Sequence, residues 1–444
     1  MKGYLATVPA NAVWPYEGMP LSLSVLKIWL NHTSSPEPLT VPQPSTLCRL
    51  LWISFSASIF PVFLTAFHCQ ITSMASNLQS PKSPKSPSKG ASPAAEPAQQ
   101  APLLSNEEQT AVGILPASHW HQPDTEEDPN NDSASSLGSF ISSTASLTES
   151  IFEYRNIHGR TYHKEMGNVE SWQPNDERHK QALDIAHHAW TVILDGKLYN
   201  SPLDKKKIQK VVDIGTGTGM WAIDFADEFP NAEVIGTDIT PIQPSWVPAN
   251  VKFELDDCNS EWTWADNTFD FVHTRMMFGV VQDWEGLFRQ AYRVCKPGGW
   301  TESINSNSSF TSDDGSVKYE SAMAQWGRVW NAAGKKMGRP FEVYDLDLQR
   351  KGMEAAGFVD IQVKEYFLPV NTWPGDKHLA EVGLWWKVAI ESDLDGYLNY
   401  TFNAVMGWRP EETALYAAQL RKEFNSSKIH GYTKARSVWG RKPE

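Results

Sequence analysis

Three glycines at alternate positions, Gly215, Gly217 and Gly219, follow the apolar run Val211-Val212-Asp213-Ile214 and precede an apolar stretch that begins at Met220. A buried strand, a tight glycine turn and a helix N-terminus, in that order, present backbone N–H groups to a nucleotide-like ligand. A Cβ in the turn would block the approach or forbid its positive φ. Asp213 and Thr216 are among the polar side chains of this turn. A second apolar run, Glu233 to Thr237, ends in Asp238, with Ile239 beside it. An acid about 20 residues past such glycines, at the end of the second strand, is placed to accept both hydroxyls of a ribose. A dinucleotide fingerprint would want Gly or Ala three residues after the second glycine, and the chain has Met220 there. A third run, Val251 to Leu255, ends in Asp256-Asp257-Cys258, where a carboxylate can accept from an adenine amino group and the next N–H can address the ring.

These groups need a parallel sheet to hold them. A fourth strand, Phe269 to His273, precedes a helix with Leu287, Ala291 and Val294 on its apolar side, and Lys296-Pro297-Gly298-Gly299-Trp300 turns into a fifth strand. Ahead of the glycines, Leu183, Ala186, Trp190, Ile193 and Leu194 recur at helical spacing, which predicts a long helix packing an apolar stripe on the sheet, with Asp176 as its cap. His187 lies on that stripe and reads as a satisfied core histidine.

The set DIGTGTG, GTD, LDDC, FDFVH and CKPGGW resembles the class I S-adenosylmethionine-dependent methyltransferases. Within that class, ADEFPNAEVIGTDITPIQPSWVPANVKFELDD, with GRTYHKE, PNDE and WGRKPE, is similar to the fungal family related to the velvet-complex regulators of secondary metabolism. The resemblance spans residues 151–444 and implies an α/β fold: a Rossmann-like seven-stranded sheet with helices on both faces and a helical cap. It implies S-adenosyl-L-methionine as cofactor, held by Asp213, Gly215, Thr216, Gly217, Gly219, Asp238, Ile239, Asp257 and Cys258. It also implies a lid drawn from Tyr154, Tyr162 and His163, with Tyr162 on the cofactor. The end of the fourth strand faces the methyl group in this fold, which makes His273 a candidate base and Arg275 a candidate holder of an anionic acceptor group. The alternative is an ion pair of Arg275 with an acid such as Asp283, with His273 a spacer. Many relatives carry a further acid near Ile304-Asn305, so the polar lining differs here.

Beyond the fifth strand, residues 303–314 are rich in Ser and Asn and read as a loop at the ligand edge. A tryptophan-rich helix (319–333), a helix over 346–356, a strand over 359–363 and a last strand at Ser437-Val438-Trp439 follow. Residues 377–424 are helical in pattern and intervene as the acceptor cap. Their Trp385 and Trp386, with Trp373 nearby, either pack or stack on an aromatic substrate.

The other 150 residues are of a different kind. Residues 1–73 form an uncertain leader with an 18-residue uncharged run, Leu50 to Phe67, at the lower limit for a membrane span but interrupted by Pro61. The alternative is a soluble chain starting at Met74. Residues 74–150, with three Ser-Pro repeats, then Ala/Pro/Gln-rich and acidic pieces, read as a disordered low-complexity segment. A formal net charge of −13 argues against direct nucleic-acid binding. Four cysteines without metal or disulfide spacing point to a reduced compartment, cytoplasmic or nuclear.

Two functions compete. One is an enzyme that methylates a small-molecule acceptor, a fungal secondary metabolite. The other is a methyltransferase-like nuclear regulator that works through regulatory protein partners. The intact cofactor motifs favour the enzyme, and the Ser-Pro-Lys leader fits the regulator.

Overall fold

A computed structural model describes residues 105–121, 154–163 and 171–444. In chain order these form helix α1 (Asn106–Ala111), a 3-10 turn (Ala117–His121), a hairpin of β1 (Arg155–Ile157) and β2 (Arg160–Tyr162), and α2 (Glu177–Ile193). There follow β3 (Lys210–Ile214), α3 (Met220–Glu228), β4 (Glu233–Asp238), β5 (Val251–Leu255), β6 (Phe269–Arg275), α4 (Trp284–Val294) and β7 (Cys295–Ser306). The remainder is α5 (Ala322–Met337), α6 (Leu348–Ala356), β8 (Val359–Pro369), α7 (Lys377–Ser392), α8 (Leu394–Leu398), a π-helix (Asn399–Val405), α9 (Pro410–Asn425) and β9 (Tyr432–Arg441).

Seven strands make one sheet in the order β5-β4-β3-β6-β7-β9-β8. The first five are parallel and β9 runs antiparallel to both its neighbours. Strand order reverses between β3 and β6, which opens a crevice at their carboxyl ends. Alternation along the strands splits the core in two. Val211, Val234 and Phe271 pack with Trp221 and Phe225 of α3 on one face. Val212, Ile235 and Val272 pack with Leu287, Phe288, Ala291 and Val294 of α4 on the other. Asp213 and His273 continue the α3-facing set, one step along from Val211 and Phe271.

A third core, centred on Trp172, Trp190, Trp330, Trp386 and Tyr416, gathers α2, α5, α7 and α9 over the carboxyl edge of the sheet. This is the cap, and helices fill it from Lys377 to Asn425. Asp176 caps α2 as expected, its side chain accepting from His179 N. The stripe of α2, however, packs on α7 rather than on the sheet: Trp190 meets Trp386 edge-on at 5.9 Å and His188 meets Trp385 at 4.3 Å.

Other boundaries differ for stated reasons. Residues 303–306 do not begin a loop but extend β7, because Ser303 to Ser306 each find a partner on β9. Strand β8 runs on to Pro369 and β9 starts at Tyr432, since the two pair over their whole length and support each other. Residues 105–121, expected to be unstructured, instead form α1 and the 3-10 turn on the cap. Ser105 and Glu108 make a capping box. Gln109 donates to Met406 O at 3.1 Å and accepts from Trp408 Nε1 at 2.9 Å. Ile114 is buried in the cap core and Trp120 packs edge-on against Tyr416. The Leu50–Phe67 run, Met74 and the Ser-Pro repeats lie outside the described residues, among which no helix is long and apolar enough to cross a membrane.

Candidate active site

The glycine turn lies at the carboxyl end of β3, and all three glycines have positive φ. Gly215 and Gly219 are held from outside the turn: a Cβ on Gly215 would come within 2.2 Å of Met277 Sδ, and one on Gly219 within 2.2 Å of Phe253 Cζ. Gly217 differs, for a Cβ there would meet only Leu183, at 3.6 Å, on the cavity side of the loop.

That cavity is lined along one stretch by Gly215, Thr216, Gly217, Asp238, Ile239, Asp257 and Cys258, which brings together most of the residues singled out from sequence. The Asp238 carboxylate accepts from Gly217 N at 2.9 Å and Thr240 N at 3.0 Å, so the glycine turn itself aims it. Burial raises its pKa to about 6, against the lowering effect of those N–H groups. Asp257 accepts from Asn259 N and Ser260 Oγ, each at 3.0 Å. Neither Asp238 nor Asp257 forms an ion pair with a described basic residue. Burial pushes the Cys258 thiol well up, so it stays protonated.

Asp213 faces the other way within the same site. Its Oδ2 accepts from Thr216 Oγ1 at 2.7 Å, and its Oδ1 lies 2.7 Å from His273 Nδ1. A carboxylate only accepts, so the imidazole donates from Nδ1, and in the neutral ring that leaves the lone pair on Nε2. Nε2 is buried and meets no hydrogen-bond partner among the described residues. The ring is stacked on Trp221 with centroids 3.8 Å apart and planes 3° from parallel. Trp221 was not singled out by sequence; it sits two residues past Gly219 and fixes the histidine's plane.

Arg275 lines the same cavity, and the expected alternative, a pair with Asp283, does not form. Asp283 instead caps α4 through Gly286 N and pairs with Arg289. The arginine donates to His187 Nδ1 at 2.9 Å, and His187 Nε2 lies 3.0 Å from Asp224 Oδ2. His187 is therefore satisfied on both nitrogens, and burial lowers its pKa. Burial also brings Arg275 down to about 10, with Asp213 and Asp224 opposing. No described carboxylate lies within ion-pair distance of this guanidinium.

The lid candidates do not converge on the cavity. Tyr162 is fully buried beside Tyr400, with no hydrogen-bond partner for its hydroxyl among the described residues, and is not among the lining residues. His163 is buried, and burial lowers its pKa. Arg160, in the same hairpin, ties it down by binding Asp176 and Asp393 together. Asn305 does not line the cavity either; its Oδ1 accepts from Met277 N at 2.9 Å. Next to it on the sheet, Glu302 is buried, its oxygens accepting from Asn200 N, Ser201 N, Ser201 Oγ and Ser437 Oγ.

At its other end the cavity enters the cap and becomes aromatic. Trp172, Trp190, Phe278, Trp326, Trp330 and Trp386 line it there. Of the tryptophans expected for stacking, Trp386 reaches the cavity, whereas Trp385 packs on His188 and Trp373 donates to Gly431 O. Trp172 and Phe278 carried no sequence signal beyond being aromatic, since the loops that deliver them have no periodicity.

Among known proteins, a family described as a methyltransferase domain matches residues 185–363. The chain is 37% identical over 290 residues to methyltransferase pytC of Aspergillus terreus, a match covering 65% of this chain and 88% of that protein. It is 32% identical over 292 residues to the secondary metabolism regulator LAE1 of Cochliobolus heterostrophus, covering 65% of this chain and 94% of that one. A solved structure of Haemonchus contortus phosphoethanolamine N-methyltransferase 2 with S-adenosyl-L-methionine covers 64% of this chain and 62% of its own, at 19% identity and a TM-score of 0.38.

Proposed function

The chain belongs to the fungal methyltransferase family that contains pytC and the LAE1-type regulators of secondary metabolism, and we propose that it is an enzyme that methylates a small-molecule secondary metabolite from S-adenosyl-L-methionine. The observation that carries this reading is the cavity, which joins a nucleotide-type cradle to an aromatic chamber without interruption. A protein acting only as a scaffold has no need of the chamber.

The cradle fits the cofactor on its own chemistry. A Cβ at Gly217 would meet only Leu183, at ordinary contact distance, and Asp238 and Asp257 are carboxylates without a described basic partner in an ion pair. Asp238 would accept the ribose hydroxyls, and Asp257 with the Cys258 N–H would hold the adenine. When bound, S-adenosyl-L-methionine supplies an electrophilic methyl group on a sulfonium. The protein's part is to align the acceptor, exclude water and remove a proton. The aromatic chamber does the first two. His273, kept in the Nδ1–H tautomer by Asp213, has Nε2 free to take a proton from an acceptor hydroxyl. Arg275, held by His187, offers its charge to an anionic group in the cavity.

The test is calorimetry with S-adenosylmethionine, S-adenosylhomocysteine and NAD, followed by mass spectrometry of a deletion strain. Binding of the first two in preference to NAD, and accumulation of a metabolite lacking one methyl group, are expected. Tighter binding of NAD would sink the cofactor reading. The similarity to LAE1 favours a second reading, regulation through protein partners. Loss of whole metabolite families with no under-methylated species would select it.

A further inference from the structure

The chamber's chemistry narrows the class of acceptor. Trp172 and Phe278 lie nearly parallel, 20° apart with centroids at 6.1 Å, and Trp326 and Trp330 are likewise stacked at 5.2 Å and 26°. Trp172 and Trp330 meet edge-on at 4.7 Å. Such walls present flat apolar faces and edges to whatever enters.

The indole nitrogens add a second, independent feature. Trp172, Trp330 and Trp386 are 1%, 2% and 6% exposed, and the Nε1–H of each is buried with no acceptor among the described residues. Buried donors are nearly always paired, and an unpaired one calls for an explanation. Trp284 and Trp120 share this condition away from the cavity, but three on one chamber is a concentration. At the cradle end of the same cavity, Trp221 Nε1 is satisfied by Leu198 O at 2.9 Å.

Charge decides between two ligand classes that an aromatic box can hold. A box for an ammonium or quaternary amine uses ring faces, often with a carboxylate nearby. Here the acids that line the cavity, Asp213, Asp238, Asp256 and Asp257, all belong to the strand ends of the cradle. No carboxylate lies among the chamber's aromatic lining residues, the indole N–H groups there are donors, and the nearby Arg275 would repel a cation.

From these three features, and resting on the methyl-transfer reading above, we propose that the acceptor is a planar, conjugated, uncharged or phenolic ring system carrying several carbonyl or hydroxyl oxygens. Those oxygens accept from the indole N–H groups of Trp172, Trp330 and Trp386, and the rings fill the space between the aromatic walls.

The experiment measures binding to the full chain saturated with S-adenosylhomocysteine, by tryptophan fluorescence and calorimetry. The probes are 1,8-dihydroxyanthraquinone, anthracene (the same shape without oxygens) and 2-naphthylmethylamine (a flat cation). The quinone should bind at least about tenfold more tightly than either of the others, the scale of two or more net hydrogen bonds. W172F and W330F, which keep a ring and remove one donor, should each weaken the quinone about fivefold and leave anthracene within about twofold. W386F keeps the comparison available if a thermal melt shows one of these unfolded. Equal binding of quinone and anthracene, tightest binding of the amine, or the same loss for both ring compounds in the variants would each overturn the proposal. If S-adenosylhomocysteine binds and no ring compound does, the acceptor class is wrong and the cofactor reading stands. If S-adenosylhomocysteine itself fails to bind, the failure lies with the proposed function.

Discussion

Asp213 and His273 stand opposite each other on adjacent parallel strands, carboxylate Oδ1 to imidazole Nδ1 at 2.7 Å, while Trp221 lies flat against the ring. The pair fixes the orientation of a histidine that lines the cavity, with Nδ1 turned to the carboxylate. His273→Ala should lower turnover by about 10²–10⁴-fold, the range for a general base, with little change in cofactor affinity. Because the ring is packed, the variant should also lose about 2–4 kcal/mol of stability, as other large-to-small core changes do. Asp213→Asn keeps the volume and tests the tautomer alone: turnover falls while the melting temperature moves less. Steady-state kinetics beside thermal melts separate the two. Full activity in His273→Ala would leave alignment and water exclusion as the whole mechanism.

Asp238 should make cofactor binding pH-dependent. Burial raises its pKa to about 6 from the ordinary 3.8. The ribose hydroxyls need an ionised acceptor, so affinity for S-adenosylhomocysteine should be constant above about pH 7 and fall progressively below pH 6. Asp238→Asn should flatten that profile, and Asp238→Ala should cost about 1.5–3 kcal/mol at neutral pH. Stability moves oppositely for this group. Both states are ionised above pH 6, and the folded state takes up the proton first, so Asp238 adds stability as pH falls from 6 towards 3.8. Calorimetry from pH 5 to 8 reads the affinity directly; wild-type binding in Asp238→Ala would remove this residue from the ribose.

Arg275 can be assigned to one of two anions by a choice of ligand. If it holds the carboxylate of the cofactor, Arg275→Ala should weaken S-adenosylhomocysteine by about 1.5–3 kcal/mol, the range for a charge-assisted hydrogen bond. Methylthioadenosine, which lacks that carboxylate, should bind the variant as it binds the wild type. If it holds an anionic acceptor, both nucleosides should be indifferent and the acceptor KM should rise. Removal should not unfold the protein, because no described carboxylate depends on Arg275 in an ion pair. A large loss of melting temperature would mark it as structural.

The segment from Ser105 to His121 belongs to the folded cap. A protein beginning near Ser150, which composition alone would call sufficient, should fold with a lowered melting temperature. Ile114→Ala in the full chain should cost about 2–4 kcal/mol, the usual figure for a buried large-to-small change. Gln109→Ala should add a smaller loss, since it leaves Trp408 Nε1 and Met406 O without a partner. Unchanged melting of all three would show that this contact adds nothing.

What could be read without coordinates was whatever recurs at short range. The glycines, Asp238 and Asp257 sit at strand ends that the apolar runs already marked, so the nucleotide side of the cavity was legible. The walls of the chamber were not. Trp172 precedes α2 in a segment without periodicity, Phe278 follows β6 in a turn, and Trp330 reads as one of several tryptophans on a helix. Only their meeting in one core makes them a surface. Residues 105–121 were misread for a related reason: Gln109 and Ile114 earn their burial from partners some 300 and 200 residues away in chain order, Met406 and the cap core, which local composition cannot register.

The position of β9 has a bearing on how the molecule is made. A ribosome delivers β9 last of the seven strands, yet it belongs between β7 and β8 and is the only neighbour β8 has among the described strands. Until then β7 offers an open edge and β8 cannot join the sheet. Closure between strands so distant in chain order is the kind of non-local pairing that slows folding.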